Sequence, residues 1–496
     1  RGGVQLTDFE FSASDYDENR HFFLAHFFRN HYDQWMTQLP NILSGVTINR
    51  IELWVTNKTA ATTNTRNLVA LTDLGEAKKY NDKVWIPNQN DVAPSNRSNN
   101  AYNFILQTAP QVRDITQSNA QLDAMDLVGG EDYEKLESAR LLSSSEYSLN
   151  SALGYVSLKS TLQPDQVLAV AFEYTYRGQT YQVGEFSTDV KDNTQALLVK
   201  SLKNTANTPK MGNWKLMMRN VYALGATAVQ RDRFTLDVKY LSDTTGVYIS
   251  YLPIPRLKDK RLLSLLGLDN LDNNARRVPN GYFDFVEGYT IDAASGRVFF
   301  PEVEPFGSFL ANVIGDADVA RNFAYTELYD STRTIAKQVA EHNKFVIKGR
   351  YKATKSDEIV LNTSGIPQGS VVVTAGGQIL TEGTDYTVDY SAGVVRILNK
   401  SILDAGTPIQ CSVESNTDYG LQRKTMMGLN WQYDYSRNFQ FGGSLLHLSE
   451  QPLTSKVALG SEPLNNTLWG LNMAWKQQSQ WLTNLVNLSL IHISEP

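Results

Sequence analysis

A single cysteine, Cys411, stands in a chain of 496 residues, and that scarcity excludes both a disulfide framework and a multi-thiolate metal site. Cys411 sits in Ile409-Gln410-Cys411-Ser412-Val413 and reads as a small hydrophobe of a strand. Long hydrophobic runs are missing too. The longest, about Val167 to Phe172, falls far short of the roughly 18 apolar residues that a membrane helix needs. A membrane helix is thereby excluded, but a membrane barrel is not, because its strands carry only a weak alternating signal. Histidines are few. His21, His26, His31, His342, His447 and His492 form no HExxH or comparable metal motif. The spacing of five between the first three spreads them around a helix and predicts surface or half-buried positions. No GxSxG, Walker or Rossmann glycine pattern occurs, and no carboxylate pair stands out as a glycosidase couple. Net charge is −6, from 46 basic and 52 acidic residues, with no Lys/Arg stripe, so no nucleic-acid partner is expected. No enzyme, cofactor or metal is expected either. The oxygen-rich run Asp269-Asn-Leu-Asp272-Asn-Asn274 has donors enough for calcium, yet reads first as a solvated turn.

The chain is apolar enough to fold. Hydrophobic residues make up 42% and charged residues 20%, and the length predicts two to four domains. Val4 to Phe11 and Val46 to Val55 alternate as strands, with helix character between Asn19 and Leu39. Residues 57–103 are rich in Asn, Thr, Asp and Ser and read as exposed loop. Residues 118–145 read as partly helical, with Tyr133, Leu136 and Leu141 on an apolar face. Val167 to Val183 reads as a hairpin turning at Arg177-Gly178, and Phe234 to Tyr240 as a strand leading into Val247 to Tyr251. Ala317 to Asn343 is the one long helical stretch expected after that.

One short repeat is visible. Tyr289-Thr-Ile-Asp292 and Tyr386-Thr-Val-Asp389 are each followed by a glycine four residues on, Gly296 and Gly393. Asp292, Gly296, Asp389 and Gly393 are assigned as hairpin-turn residues, Asp binding backbone N–H groups and Gly taking positive φ. From Thr425 the pattern changes. Leu429, Trp431, Tyr433 and Tyr435, then Phe439 and Phe441, then Trp469, Leu471, Met473 and Trp475 recur at every second position between polar or small residues. These ten are the candidate lipid-facing residues, because a lipid-facing strand alternates in this way and carries aromatic girdles. A soluble β-sandwich with one wet face has the same period, so the pattern alone leaves both open.

Longer strings add a family. Phe9-Glu-Phe-Ser-Ala-Ser-Asp-Tyr-Asp-Glu-Asn-Arg-His-Phe-Phe-Leu24, Leu39-Pro-Asn-Ile-Leu-Ser-Gly-Val46 and Ile51-Glu-Leu-Trp-Val-Thr-Asn57 closely resemble the SprA/Sov family, the outer-membrane translocon of type IX protein secretion. So do Val170 to Tyr176, Tyr181 to Ser187, Gly281 to Val286, Glu304 to Gly307, Gly369 to Gly377 and Thr381 to Tyr390. The likeness runs nearly to Asn487. It implies a mainly β chain with some α, part of a very large transmembrane β-barrel with folded α+β insertion modules. It also implies a channel for folded cargo, gliding-motility adhesins included. The implied partners are cargo proteins with a C-terminal sorting domain, a PorV-type small barrel, a plug protein and outer-membrane lipid. Arg1 opens the chain without Met, and the final nine residues look like a translated sequencing adapter, so an internal fragment is expected. The expected division is 1–245 as mixed α/β and β insertion or cap with barrel strands among it, 246–345 as a β-hairpin module followed by a long helix, 346–420 as a small β module, 421–487 as membrane strands, and 488–496 as the adapter segment. A soluble glycan-binding β-sandwich and a TonB-dependent transporter fragment are the alternatives.

Overall fold

A computed structural model describes residues 5–58, 62–78, 80, 93–353, 358–361, 366, 369–375, 377–390, 393–399, 402, 409–413, 424–450 and 465–491. The chain is mainly β with short helices, and it divides into two compact units, Arg1–Val413 and Glu414–Pro496. His492 lies outside the described residues, whereas 488–491 end a helix, Gln480–Ile491.

In the first unit a six-stranded sheet forms because its strands are apolar on both faces. Its order is Leu197–Lys203, Thr65–Leu71, Tyr133–Leu141, Val46–Val55, Leu168–Tyr176 and Gln179–Val183. Leu197–Lys203 pairs parallel with Thr65–Leu71 and antiparallel with Leu168–Tyr176, so five strands close on themselves. Closure removes the open edges between them. One set of alternate residues, including Trp54, Leu68, Ala70, Ala169, Ala171, Leu197 and Val199, packs as its own cluster. The other set, with Leu53, Val55, Val69, Val170 and Phe172, joins the main core. Over it lies the helix His26–Met36, which buries Phe27, Phe28, Tyr32, Trp35 and Met36. Gly154 lets this helix approach, since a Cβ there would fall 2.3 Å from the Phe28 ring.

A second sheet has the order Gln5–Ser12, Phe345–Ala353, Val229–Leu241 and Tyr248–Ile249. It joins strands from three of the expected regions, and the divisions expected at 245/246 and 345/346 both cut through it. Hairpin partners Val229–Leu241 and Tyr248–Ile249 straddle the first, and Phe345–Ala353 crosses the second. The small β module starts only after Ala353. Its two three-stranded sheets enclose a separate core of Val371, Val373, Tyr386, Val395 and Ile397.

Three helix expectations are corrected. Ala317 to Asn343 is not one helix but three, Ala317–Phe323, Glu327–Asp330 and Arg333–Gln338. Ala324 takes extended geometry and ends the first, while the Thr332 hydroxyl accepts the Ile335 N–H and starts the last. Within 118–145 only Ser118–Asp123 is α-helical, and Tyr133, Leu136 and Leu141 belong to a strand. Between Asn19 and Leu39 a short strand, His21–Phe23, precedes the helix. It pairs with Tyr155–Leu158, which carries His21 and its neighbours inward.

The Asp292 turn closes the antiparallel pair Ile291–Asp292 and Arg297–Phe299, with Asp292 Oδ1 accepting the Ser295 N–H at 3.2 Å. Tyr386–Asp389 and Val394–Ile397 pair in the same sense, and the Gly393 N–H donates to the Asp389 carbonyl at 2.8 Å. Gly296 has φ +64, and a Cβ there would lie 1.8 Å from the Ala226 carbonyl oxygen. Gly296→Ala is therefore expected to lower stability by about 3 kcal/mol or more. Gly178→Ala, at φ +79 in the open Arg177-Gly178 turn, should cost only about 1 kcal/mol. Urea unfolding of the whole chain in detergent compares them, and equal losses would contradict the close approach.

Candidate functional site

Three long strands make up the sheet of the second unit: Lys424–Ser436, Phe439–Glu450 and Asn465–Trp475. The first two are joined by the two-residue turn Arg437-Asn438, where Ser436 Oγ accepts the N–H groups of Asn438 (3.3 Å) and Phe439 (3.1 Å). Pairing is antiparallel throughout, and residues directly opposite one another share a face. Leu429 stands opposite Leu445, and Leu445 opposite Trp469. The next rows are Trp431, Gly443 and Leu471, then Tyr433, Phe441 and Met473. Phe439 lies beside Trp475 at the turn end. Tyr435 occupies the register shift between Asp434 and Ser436, and its ring meets Phe439 edge-on at 6.2 Å.

The register therefore brings nine of the ten candidate residues onto one face, and Tyr435 leans toward the same side. That face is bare. Trp469 and Leu471 are each 74% exposed and Met473 is 70% exposed. Its rings pack laterally instead, Trp431 on Phe441 and Tyr433 on Phe441, each at 5.5 Å between centroids. Gly443 makes room for this, since a Cβ there would sit 2.9 Å from Trp431 Nε1 and 3.0 Å from Leu471 Cδ2. The opposite face reads Asn430, Ser444, Gly470, then Gln432, Gly442, Asn472, then Asp434, Gln440, Ala474. It is polar or small over these rows. At the far end of the aromatic face, beyond Leu445 and Trp469, His447 Nδ1 lies 2.9 Å from Thr467 Oγ1.

Polar chemistry in the first unit is buried. Lys200 Nζ, fully buried, lies 2.6 Å from Glu76 Oε1 and donates to the carbonyls of Thr72 and Leu74. His26 Nδ1 is 3.0 Å from the same carboxylate, out of line for a hydrogen bond, and its ring stacks on Tyr80 at 3.5 Å. Burial pushes the Glu76 carboxyl up, but Lys200 and His26 outweigh it and hold the group at about 2. His21 bridges Ser157 Oγ (2.7 Å, from Nδ1) and Asp17 Oδ2 (3.0 Å, from Nε2). Arg297 Nε also donates to Asp17, at 3.1 Å. Burial alone would raise the Asp17 carboxyl, yet His21, Arg20 and Arg297 bring it well below the usual range. Aspartate, histidine and serine are thus in contact, but the carboxylate is claimed by two further cations and the chain ties strands together. Half-buried Asp33 and buried Glu302 form a second pair, in which burial and then Asp33 push the Glu302 carboxyl well up. His21 and His26 are buried, against the surface or half-buried placement expected; only His31 is half-buried. No spacing signals their partners, because Ser157, Glu76 and Lys200 are remote in sequence.

The oxygens of Asp269 and Asp272 are occupied by donors. Asp269 accepts from Ser264, Asn280 and Gly281, and Asp272 from Asn274 and Arg276. Among the described residues no group of three His, Cys, Asp or Glu is placed to hold a metal. Cys411 is half-buried in the strand Ile409–Val413, and burial pushes its thiol up to about 11. A groove of about 790 Å3 on the second sheet is lined by Asp8, Glu10, Asp237, Arg261, Lys348 and Arg350 among others. Its charges answer one another, as Arg350 with Asp8 (2.6 Å), Lys348 with Glu10 (2.8 Å) and Arg261 with Asp237 (3.2 Å).

No protein-family model matches the chain, and no curated protein matches it.

The two faces of the long sheet predict opposite responses to charge. Leu471→Arg, in the middle of the apolar face, is expected to weaken partition of the whole chain into lipid vesicles by about 2–4 kcal/mol. Asn472→Arg, one residue on and facing the other way, should change it by less than about 1 kcal/mol. Flotation assays compare the two, and equal losses would contradict a one-sided lipid contact.

Proposed function

We propose that this chain is part of the outer-membrane translocon of the type IX secretion system, with the strands Lys424–Ser436, Phe439–Glu450 and Asn465–Trp475 contributing to the wall of a large β-barrel. The observation that carries this reading is the gathering of Leu429, Trp431, Tyr433, Phe439, Phe441, Trp469, Leu471, Met473 and Trp475 on one uncovered face. A bilayer is the environment in which so large an apolar face gains by being uncovered. Strands of 11 to 13 residues are long enough for a hydrocarbon core that tilted strands of about 9–11 residues cross. Over the rows from Asn430 to Asp434 the opposite face is polar or small, which suits a water-filled lumen, while Leu446, Leu468 and Met426 stand on it toward the far end. A soluble sandwich would lay a second sheet over the aromatic face, and among the described residues of this unit none is present.

The resemblance supplies what geometry does not. Strings spread from Phe9 to Tyr390 resemble the SprA/Sov translocons, and on that likeness the first unit is an insertion module of the barrel. Cargo bearing a C-terminal sorting domain would pass through the lumen and leave toward a PorV-type partner, with a plug protein closing the empty pore. Energy for transit would come from elsewhere in the system, since the sequence carries no Walker-type nucleotide motif.

Deleting the parent gene and measuring sorting-domain proteins in medium and periplasm by mass spectrometry tests this reading. Cargo should vanish from the medium and accumulate inside. Unchanged secretion with lost adhesion or glycan uptake would replace it with the surface-binding alternative.

A further inference from the structure

The two ends of the long sheet differ in charge and in ring content. At the tight turn, Arg437 and Asn438 link the first two strands, and the Lys476 N–H donates to the Asn438 carbonyl at 2.8 Å. That bond sets the backbones of two basic residues, Arg437 and Lys476, at one rim. Neither is in an ion pair with a described residue, and both are exposed. Tyr435, Phe439 and Trp475 stand just inside them on the apolar face. Asp434, the acidic residue nearby, belongs to the polar face, where Gln432 Nε2 donates to it at 3.1 Å. At the opposite end Lys424 is in backbone register with Glu450.

The chain then continues from Lys476 into the helix Gln480–Ile491. Trp481, Leu482, Leu485 and Val486 fall on one arc of that helix and Thr483, Asn484 and Asn487 on the other. All four apolar residues are exposed. This helix is uncharged and starts a few residues beyond the basic and aromatic rim.

We propose that this rim is an anchor for phospholipid headgroups of the periplasmic leaflet. Arg437 and Lys476 meet the lipid phosphates, and Tyr435 and Trp475 sit at the level of the glycerol backbones. This rests on the reading of the sheet as membrane-spanning. Charge complementarity selects the occupant, because guanidinium and ammonium groups bind phosphate by charge-assisted hydrogen bonds and interfacial Trp and Tyr keep one polar edge wet. Turn length selects the leaflet. Outer-membrane barrels place tight turns toward the periplasm and long connections outside, and here the other connection is the far longer segment 451–464.

The test refolds the whole chain into vesicles of phosphatidylcholine alone or mixed with phosphatidylglycerol. It compares the natural sequence with R437Q/K476Q and with the charge-conserving R437K/K476R. Insertion is read by protease protection and affinity by vesicle titration. The natural chain and R437K/K476R should prefer the anionic vesicles, and R437Q/K476Q should insert in both while losing roughly 30-fold of that preference. Insertion of R437Q/K476Q with its preference intact would overturn the anchor and leave the membrane reading standing. Loss of the preference in inorganic phosphate buffer of matched ionic strength would reassign the rim to free anions and overturn it as well. Failure of every variant to enter either vesicle would remove the membrane reading on which the proposal rests.

Discussion

Side chains of a β-strand alternate with a period of two, and the unbroken pairing along the middle strand Phe439–Glu450 turns that period into a surface. From Lys424 opposite Glu450 to Asp434 opposite Gln440, and from Phe439 opposite Trp475 to Ser449 opposite Asn465, the ladder runs without a slip. A shift of one residue in either pairing would scatter the aromatic side chains over both faces. The one irregularity, at Asp434/Ser436, falls at the turn end, where it moves Tyr435 against Phe439 without disturbing the rows above. The same ladder sets a requirement. On the proposed membrane reading, where each unpaired N–H or C=O in hydrocarbon costs several kcal/mol, the outer edges of the first and third strands would need further strands beside them.

The two units use similar residues in opposite ways. In the first, Phe23, Phe28, Tyr32, Tyr155, Phe172 and Tyr174 are buried and pack edge-on around the helix His26–Met36. Lys200, Glu76 and His26 lie inside as well, and their mutual neutralisation lets a lysine sit between the helix and the closed sheet. Breaking such a pair leaves an uncompensated buried charge, so it fixes the packing more than it adds net stability. Among the described residues of the second unit Trp, Tyr, Leu and Met side chains are exposed and no buried aromatic cluster forms. Composition alone does not separate the units; placement does.

Much of this was legible in the residues. Val46–Val55 reads as a strand from its alternation, and the Arg177-Gly178 turn from its glycine. The ten apolar positions from Leu429 to Trp475 could be named in advance because period two is a local property of the chain. What local pattern cannot carry is partner choice. Phe345–Ala353 lies between Gln5–Ser12 and Val229–Leu241, elements far away in sequence, and so the expected divisions cut the sheet. The stretch from Ala317 had helical spacing, but the extended backbone of Ala324 ends the first helix and Thr332 caps a new start, which interrupts one continuous helix. His21 and His26 were misplaced because a five-residue spacing was read on a helix, while His21 belongs to a strand. Their burial depends on Asp17, four residues from His21, and on Ser157, Glu76 and Lys200, which no spacing rule connects.

Site-directed nitroxide scanning along 465–475, with the whole chain in lipid vesicles, tests most directly that this sheet faces a bilayer on one side. Accessibility to oxygen should rise at 469, 471, 473 and 475, and accessibility to a water-soluble nickel chelate should rise at 470, 472 and 474, giving a period of two with opposite phases. A flat profile, or oxygen maxima at the even positions, would contradict the account.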